Sequence, residues 1–455
     1  MATAQSRVTD MTRGDPVRLL LNFSAPLFLS NLLQQFYNLA DTALAGHILG
    51  DAALAEIRAT AALYGLIMNF AFGMNNGLAL TVSRLFGAGD EKGVRRATAW
   101  MLALAGATAA VLTVVFVGVR RPLLVLLQVP EASIDGALAY LTLILLGIPL
   151  TMAYNMEAAL LRAIGNSLTP LYFLLFSTVL NIGLDPLLIF GFHMGVKGAA
   201  WATVISQACS AVWIIGFLTS NRASLRLQPR HMRWDGAIVR SILALGVSPF
   251  IMASTESLIG FVLNSSLKAY GDIYISALAI MQSAMLFVSV PLTGFAQGFV
   301  PVASYNYGHG NRERLKSCFR IVLLTMFTFN LVLIMLMLCF PHLVAAAFTD
   351  DGRLIATVER VMPLFLSGMS IFGLQRACQN AFVALGAARI SVFIALLRKV
   401  FLLVPLALLL PHFWGIKGVF LAESISDATA AICCTLIFAY QFPRILAHMK
   451  TPKAA

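Results

Sequence analysis

The chain has 455 residues, of which 59% are hydrophobic and 11% charged, against roughly 25% charged in soluble domains. Its net charge is +12. This composition argues against a soluble enzyme and against a nucleic-acid-binding module, because in a polytopic membrane protein surplus Lys and Arg collect in cytoplasmic loops.

Apolar runs long enough to cross a bilayer as helices recur along the chain, and they are too long for barrel strands. The expected fold class is therefore all-α and polytopic. No cleavable signal is visible in residues 1–17, which are polar and carry Arg7 and Arg13. Twelve spans are predicted, at 17–46, 54–84, 96–119, 135–163, 169–191, 197–218, 237–269, 275–306, 316–340, 354–385, 389–411 and 418–443. Loops after even-numbered spans hold Lys92, Arg95 and Arg96, then Arg222, Arg226, Arg230 and Arg233, then Arg312, Arg314 and Lys316. That bias predicts a multi-pass cell-membrane protein with both termini cytoplasmic. Arg120 and Arg121 run against it. The six cysteines fall mostly in apolar runs without paired spacing, so neither a disulfide framework nor a metal site is expected.

The chain repeats itself. Phe72-Gly73-Met74-Asn75-Asn76-Gly77, with Gly87-Ala88-Gly89-Asp90 after it, returns as Thr293-Gly294-Phe295-Ala296-Gln297-Gly298 with Gly308-His309-Gly310-Asn311. Gly195-Val196-Lys197-Gly198 returns as Gly415-Ile416-Lys417-Gly418, and Pro26 matches Pro249. Two six-helix lobes are expected, 1–219 and 237–455, joined by a basic cytoplasmic linker at 220–236. Six spans per lobe give both the same orientation, related by a pseudo-twofold axis along the membrane normal, one of the arrangements transporters use.

The first span carries Gln34, Tyr37, Asn38 and Asp41 on one helical face. A carboxylate facing lipid is costly, so that face points into a bundle or cavity. In the fifth span Asn181 and Asp185 are four apart, with Pro186 next; the sixth offers Thr203 and Gln207, and the fourth Asn155, Glu157 and Arg162. Two acids among amides and a hydroxyl either share a proton or ligate a hard cation such as Na⁺. In the C-terminal lobe Glu256 precedes Asn264 and Lys268 at helical spacing, and span ten has Gln375, Arg376, Gln379 and Asn380 with no acid among them. Glu256 is either a second site or a polar contact paired with Arg376 or Arg398. Arg58, in the apolar second span, reads as snorkelling to an interface or as lining a cavity.

Taken together, Gln35-Phe36-Tyr37-Asn38-Leu39-Ala40-Asp41-Thr42, Asn181…Asp185-Pro186, Gln297-Gly298-Phe299-Val300-Pro301 and Tyr305-Asn306-Tyr307-Gly308 resemble the multidrug and toxic compound extrusion (MATE) family. The resemblance is closest to its prokaryotic DNA-damage-inducible-protein-F-like branch and spans nearly the whole chain. It implies a twelve-helix, two-lobe antiporter, not an enzyme, exporting cationic or amphipathic compounds in exchange for H⁺ or Na⁺, with no other cofactor. It places the cation site on Asp41, Asn181, Asp185 and Thr203, supported by Tyr37 and Asn155, and makes Pro26 the point where the first helix bends. Expected partners are small-molecule substrates and the lipid bilayer, with no nucleic acid and no obligate protein partner. The sequence departs from the family at span ten, where no acid stands among Gln375, Arg376, Gln379 and Asn380, and at Arg58, where glycine is usual. A lipid-linked-saccharide flippase is the alternative, suggested by Arg58, Arg376 and Arg398. An intramembrane enzyme would need a reactive constellation at depth, whereas His193, His342 and His412 sit at span ends.

Overall fold

A computed structural model describes residues 9–126, 129, 131–219, 236, 251, 260 and 262–449. Among them the fold is a membrane all-α fold with ten helices long and apolar enough to cross a bilayer. In chain order the helices are α1 (Pro16–Gly87), α2 (Glu91–Leu126), α3 (Glu131–Ala163), α4 (Leu168–Pro186) and α5 (Val196–Thr219). They continue with α6 (Asp272–His309), α7 (Arg312–Cys339), α8 (Pro341–Ala346), α9 (Gly352–Leu366) and α10 (Phe372–Ala384). The last three are α11 (Ala388–Leu396), α12 (Val404–Trp414) and α13 (Ile416–Ala447).

The expected break between the first two spans, at 47–53, does not occur. α1 runs helical for 72 residues, about 108 Å of helical path and well over two ~30 Å hydrocarbon cores. The connecting residues His47-Ile48-Leu49-Gly50-Asp51-Ala52-Ala53 contain no proline, and a single glycine costs a helix only about 1 kcal/mol. Most of the seventh expected span, with Glu256 in it, lies outside the described residues.

Packing divides the chain into two compact units, Leu29–Phe250 with Met1–Met11, and Ile251–Ala455 with Thr12–Phe28. They are called the N-lobe and the C-lobe below. The changeover within α1 falls between Phe28 and Leu29, just past Pro26. In the C-lobe the start of α1 lies backbone-close to α6: a Cβ on Gly298 would stand 2.9 Å from Ser24 Cα.

Each lobe buries one side of its helices and leaves apolar side chains on the other. Val114 in the N-lobe and Phe413 in the C-lobe are 72% and 77% exposed, as a lipid-facing surface demands. The N-lobe core is largely aliphatic and methionine-rich, around Met74, Met101, Met156, Leu160 and Ile164. The C-lobe core holds an aromatic stack, with Phe319 on Phe438 at 4.4 Å and Phe438 on Phe442 at 4.7 Å between ring centroids.

The sequence repeat is also a structural one. Asp90 caps α2 by accepting from the Gly93 N–H at 2.9 Å, and Asn311 caps α7 by accepting from Arg314 N–H at 3.1 Å. Gly195 and Gly415 turn at φ +57° and +55°, and a Cβ on Gly198 or Gly418 would meet the backbone of the preceding helix at 3.0 Å or 2.4 Å. Only glycine fits an elbow this tight. Non-α backbone occurs next to it in both lobes. A π-helical turn, Leu187–Gly191, follows Pro186, and another, Leu397–Leu403, joins α11 to α12. A 3₁₀ segment, Ser367–Ile371, interrupts span ten. Buried Asn330 on α7 satisfies carbonyls there, donating to Met369 O at 2.7 Å and Ser370 O at 2.9 Å, as irregular backbone within a membrane requires.

Candidate functional site

Three helices bring the N-lobe polar residues together. Asn181 and Asp185 lie one turn apart on α4, each 1% exposed, and Thr203 on α5 faces them at 8%. Tyr37 on α1 brings its hydroxyl to 3.3 Å from Thr203 Oγ1. The Asn181 amide can be turned two ways. In one, Nδ2 reaches Thr203 Oγ1 at 3.5 Å. In the other, Nδ2 donates to Asp185 Oδ2 at 3.2 Å while the amide oxygen accepts from the Thr203 N–H at 3.2 Å. The second pairs both ends of the amide and is the better arrangement.

α4 is held at this point by Pro186, which ends its regular hydrogen bonding where the π-helical turn begins. π-turns inside helices recur at functional sites. Beside the cluster, Thr151 on α3 bonds to Gln207 on α5, and Asn155 Nδ2 returns to the Thr151 carbonyl at 2.9 Å. Thr151 is a neighbour that the sequence reading missed. Four residues before Asn155, it had only that spacing to signal it.

The arrangement offers a carboxylate, an amide and two hydroxyls at membrane depth, and α4, which carries the carboxylate and the amide, contains no Lys or Arg. Such a set can carry a proton or coordinate a hard monovalent cation. Asp41 follows Tyr37 by one helical turn on α1, but its side chain, like those of Asn38 and Arg58, is outside what the structure describes. Gln34 is exposed.

The other expected residues are in the C-lobe. Gln375 on α10 is buried, its carbonyl accepting from Cys434 Sγ at 3.8 Å. Asn264 is exposed. Arg376 does not need an acid of its own span: Nη1 donates to Thr293 Oγ1 at 3.2 Å, and its guanidinium lies over Phe372 at 5.3 Å. Arg398 bonds to Asp427 and lies 3.7 Å from Glu423. These two acids on α13 were overlooked in the sequence. The available signal was their i, i+4 spacing in a lipid-length span, one span after the adjacent pair Arg398-Lys399.

A family profile described as MatE matches residues 26–187 and 249–409, one copy in each half. "Probable multidrug resistance protein YoeA" of Bacillus subtilis (strain 168) is 26% identical over 451 residues, 97% of either chain. "Probable multidrug resistance protein YpnP" of the same strain is 30% identical over 309 residues, 67% of this chain and 68% of its own. Among solved structures, "Crystal structure of MATE in the bent conformation" superposes with a TM-score of 0.89 at 22% identity, covering 98% of both chains.

Proposed function

The chain belongs to the MatE family of membrane transporters, and on that premise we propose that it is a secondary active multidrug exporter. It moves cationic or amphipathic small molecules out of the cell in exchange for an inward-moving cation. The names of its relatives support the multidrug reading. The observation that carries the coupling is the buried carboxylate of Asp185, within hydrogen-bond reach of Asn181 and backed by Thr203 and Tyr37.

In this reading Asp41 joins Asp185, and the two acids hold one proton between them; Na⁺ is the alternative occupant of the same oxygen ligands. Exchange requires that cation and drug not be bound stably together, so each must favour a different state. α1 is the element suited to this. It brings Tyr37 to the cluster, holds Asp41 one turn further along, and carries Pro26 at a point where a backbone hydrogen bond is missing. Cation binding at the cluster alters the packing of α1 against α4 and α5, and with it the drug cavity. The protein resides in the cell membrane with both termini cytoplasmic. Single cysteines at positions 92, 226 and 314 are expected to stay shielded from an impermeant thiol reagent in intact cells.

The deciding measurement is substrate affinity of the purified protein against pH, with and without Na⁺. Proton coupling gives an affinity that rises with pH and a flat profile in Asp41→Asn. A pH-independent affinity that falls only on adding Na⁺ assigns the site to the metal ion. An affinity that responds to neither refutes cation coupling at this cluster.

A further inference from the structure

The C-lobe buries four ionisable side chains that the coupling reading does not use. Arg398 and Lys399 stand in the π-helical segment before α12, and Glu423 and Asp427 stand one turn apart on α13. They are 6%, 4%, 5% and 0% exposed. Arg398 Nε donates to Asp427 Oδ1, and Arg398 Nη2 lies 3.7 Å from Glu423 Oε1. Lys399 Nζ lies 4.0 Å from that same glutamate oxygen. The Arg398 guanidinium covers the Phe372 ring at 4.2 Å, and its carbonyl accepts from the Ser426 hydroxyl. Asp427 Oδ2 is buried with no hydrogen-bond partner among the described residues.

The place of this group in the repeat gives it meaning. Counting from the elbows at Gly195 and Gly415, Ala202-Thr203-Val204-Ile205-Ser206-Gln207 falls opposite Ala422-Glu423-Ser424-Ile425-Ser426-Asp427. Three of the six residues are identical. Glu423 therefore holds the position of Thr203, a member of the N-lobe cluster, and Asp427 that of its neighbour Gln207.

We propose that Arg398 and Lys399 are built-in cations. In the C-lobe they fill the repeat position where the N-lobe takes its exchangeable cation, and so close that position to any cation from outside. The proposal rests on the N-lobe reading given above. Two carboxylates inside a membrane lobe need compensating positive charge. The N-lobe leaves that charge to an ion that comes and goes, whereas the C-lobe has it covalently attached: among the described residues, two cations stand against two carboxylates. One lobe is thereby charge-closed at this place and the other is open.

Among the described residues, the remaining titratable groups on α13 and the elements packed against it have partners elsewhere or lie at the surface. Arg376 bonds to Thr293, and the thiols of Cys378 and Cys434 lie beside Gln375 on the α10 side. Cys433 is half-buried on α13; Glu359 is half-buried and pairs with His342. Arg353, Arg360, Arg389, His412, Lys417, Tyr440 and Arg444 are exposed.

The test is thermal unfolding of the purified full-length protein in acidic and alkaline buffer, with NaCl or choline chloride. Asp185→Asn is expected to remove the native cation response. In that background Arg398→Gln and Lys399→Gln should each acquire a new one. The uncovered carboxylates take up a proton or Na⁺, so Tm falls as the buffer turns alkaline, by ~3 °C or more beyond the background. Recovery of Tm by Na⁺ identifies a captured metal ion, and no recovery identifies a captured proton; either supports the proposal. Adding Glu423→Gln to Lys399→Gln should flatten the response again. Should Arg398→Gln fail to fold, Lys399→Gln, which removes the longer of the two contacts to Glu423, carries the test. If Asp185→Asn removes the native response while Lys399→Gln and any folded Arg398→Gln stay flat, the C-lobe proposal alone is overturned. If Asp185→Asn leaves the native response intact, the N-lobe reading fails and takes the proposal with it.

Discussion

Around the elbow at Gly195 the N-lobe gathers an aspartate, an asparagine, a threonine and a tyrosine; around the elbow at Gly415 the C-lobe gathers an arginine, a lysine, a glutamate and an aspartate. Backbone geometry is nearly the same at both, down to φ values of +57° and +55° and a π-helical turn in the helix before. The side chains differ in how charge is balanced. A carboxylate set among amides and hydroxyls can change its protonation or its ligand, because those groups accommodate either state. A carboxylate bonded to a buried arginine gains little by doing so, since neutralising it strands the guanidinium. On the reading proposed above, one scaffold serves as a working site in one copy and as a clamp in the other.

The largest effect should come from neutralising the open copy. Asp185→Asn is expected to reduce gradient-driven dye efflux from proteoliposomes to the level of protein-free vesicles while leaving insertion and Tm near native. The amide keeps the shape and hydrogen-bonding reach of the carboxylate but cannot titrate. Asp41→Asn should behave the same way. Native efflux in either variant would break the contrast between the lobes at its stronger end.

The closed copy should respond in stability instead. Asp427→Asn leaves Arg398 buried with a weakened partner, a change of about 3–5 kcal/mol, or roughly 3–5 °C in Tm for a chain of this length. Replacing Arg398 and Asp427 together by leucine should restore much of that loss, since a buried ion pair is often matched by apolar residues of similar volume. Thermal unfolding of the single and double variants checks this. A double variant as unstable as the single one would mean that the pair does more than balance charge.

The two copies were not equally legible in the sequence. Apolar run lengths gave the membrane fold, and the Gly-x-Lys-Gly elbows gave the repeat, because both depend on local spacing. Asn181, Asp185 and Thr203 could be read as a group since each helix contributes them at i, i+4 positions with no Lys or Arg in span five to quench them. From the sequence Arg398 reads as a partner of Glu256 or as a cavity residue. Its partners Glu423 and Asp427 lie in the next span, and only tertiary packing brings the two helices into register. The continuity of α1 through 47–53 was hidden for the opposite reason: Gly50-Asp51 reads as a turn, and no local rule says that a helix will continue where lipid no longer requires it. Asn330 was unreadable from one span, since its role is to satisfy carbonyls released by a 3₁₀ segment some forty residues away.

The elbows themselves allow a comparison at constant chemistry. Gly418→Ala would place a Cβ 2.4 Å from Leu410 O, whereas Gly198→Ala would place one 3.0 Å from Leu188 C. Overpacking against backbone costs about 1–3 kcal/mol, so Gly418→Ala should lie near the upper end and Gly198→Ala near the lower. Equal Tm losses would imply that the two elbows relax alike and that the C-lobe is no more tightly clamped there than the N-lobe.

The smallest effect expected is also the most specific. Tyr37→Phe removes one hydroxyl and keeps the ring, so packing of α1 should be nearly unchanged. What is lost is the 3.3 Å bond between the Tyr37 hydroxyl and Thr203 Oγ1, a contact of about 0.5–1.5 kcal/mol. If that bond only braces the helices, its loss should appear as a Tm drop with unaltered cation response. If Tyr37 helps to hold Thr203 in the geometry that receives the cation, apparent cation affinity should weaken by roughly 2- to 10-fold, with Tm hardly moved. The counterpart of Thr203 in the other lobe is Glu423, whose oxygen faces Arg398 and Lys399. A cation titration of Tyr37→Phe beside its thermal unfolding therefore asks whether α1 takes part in the site or merely packs beside it. A change in Tm alone would remove Tyr37 from the coupling cluster and leave α4 and α5 to form it with Asp41.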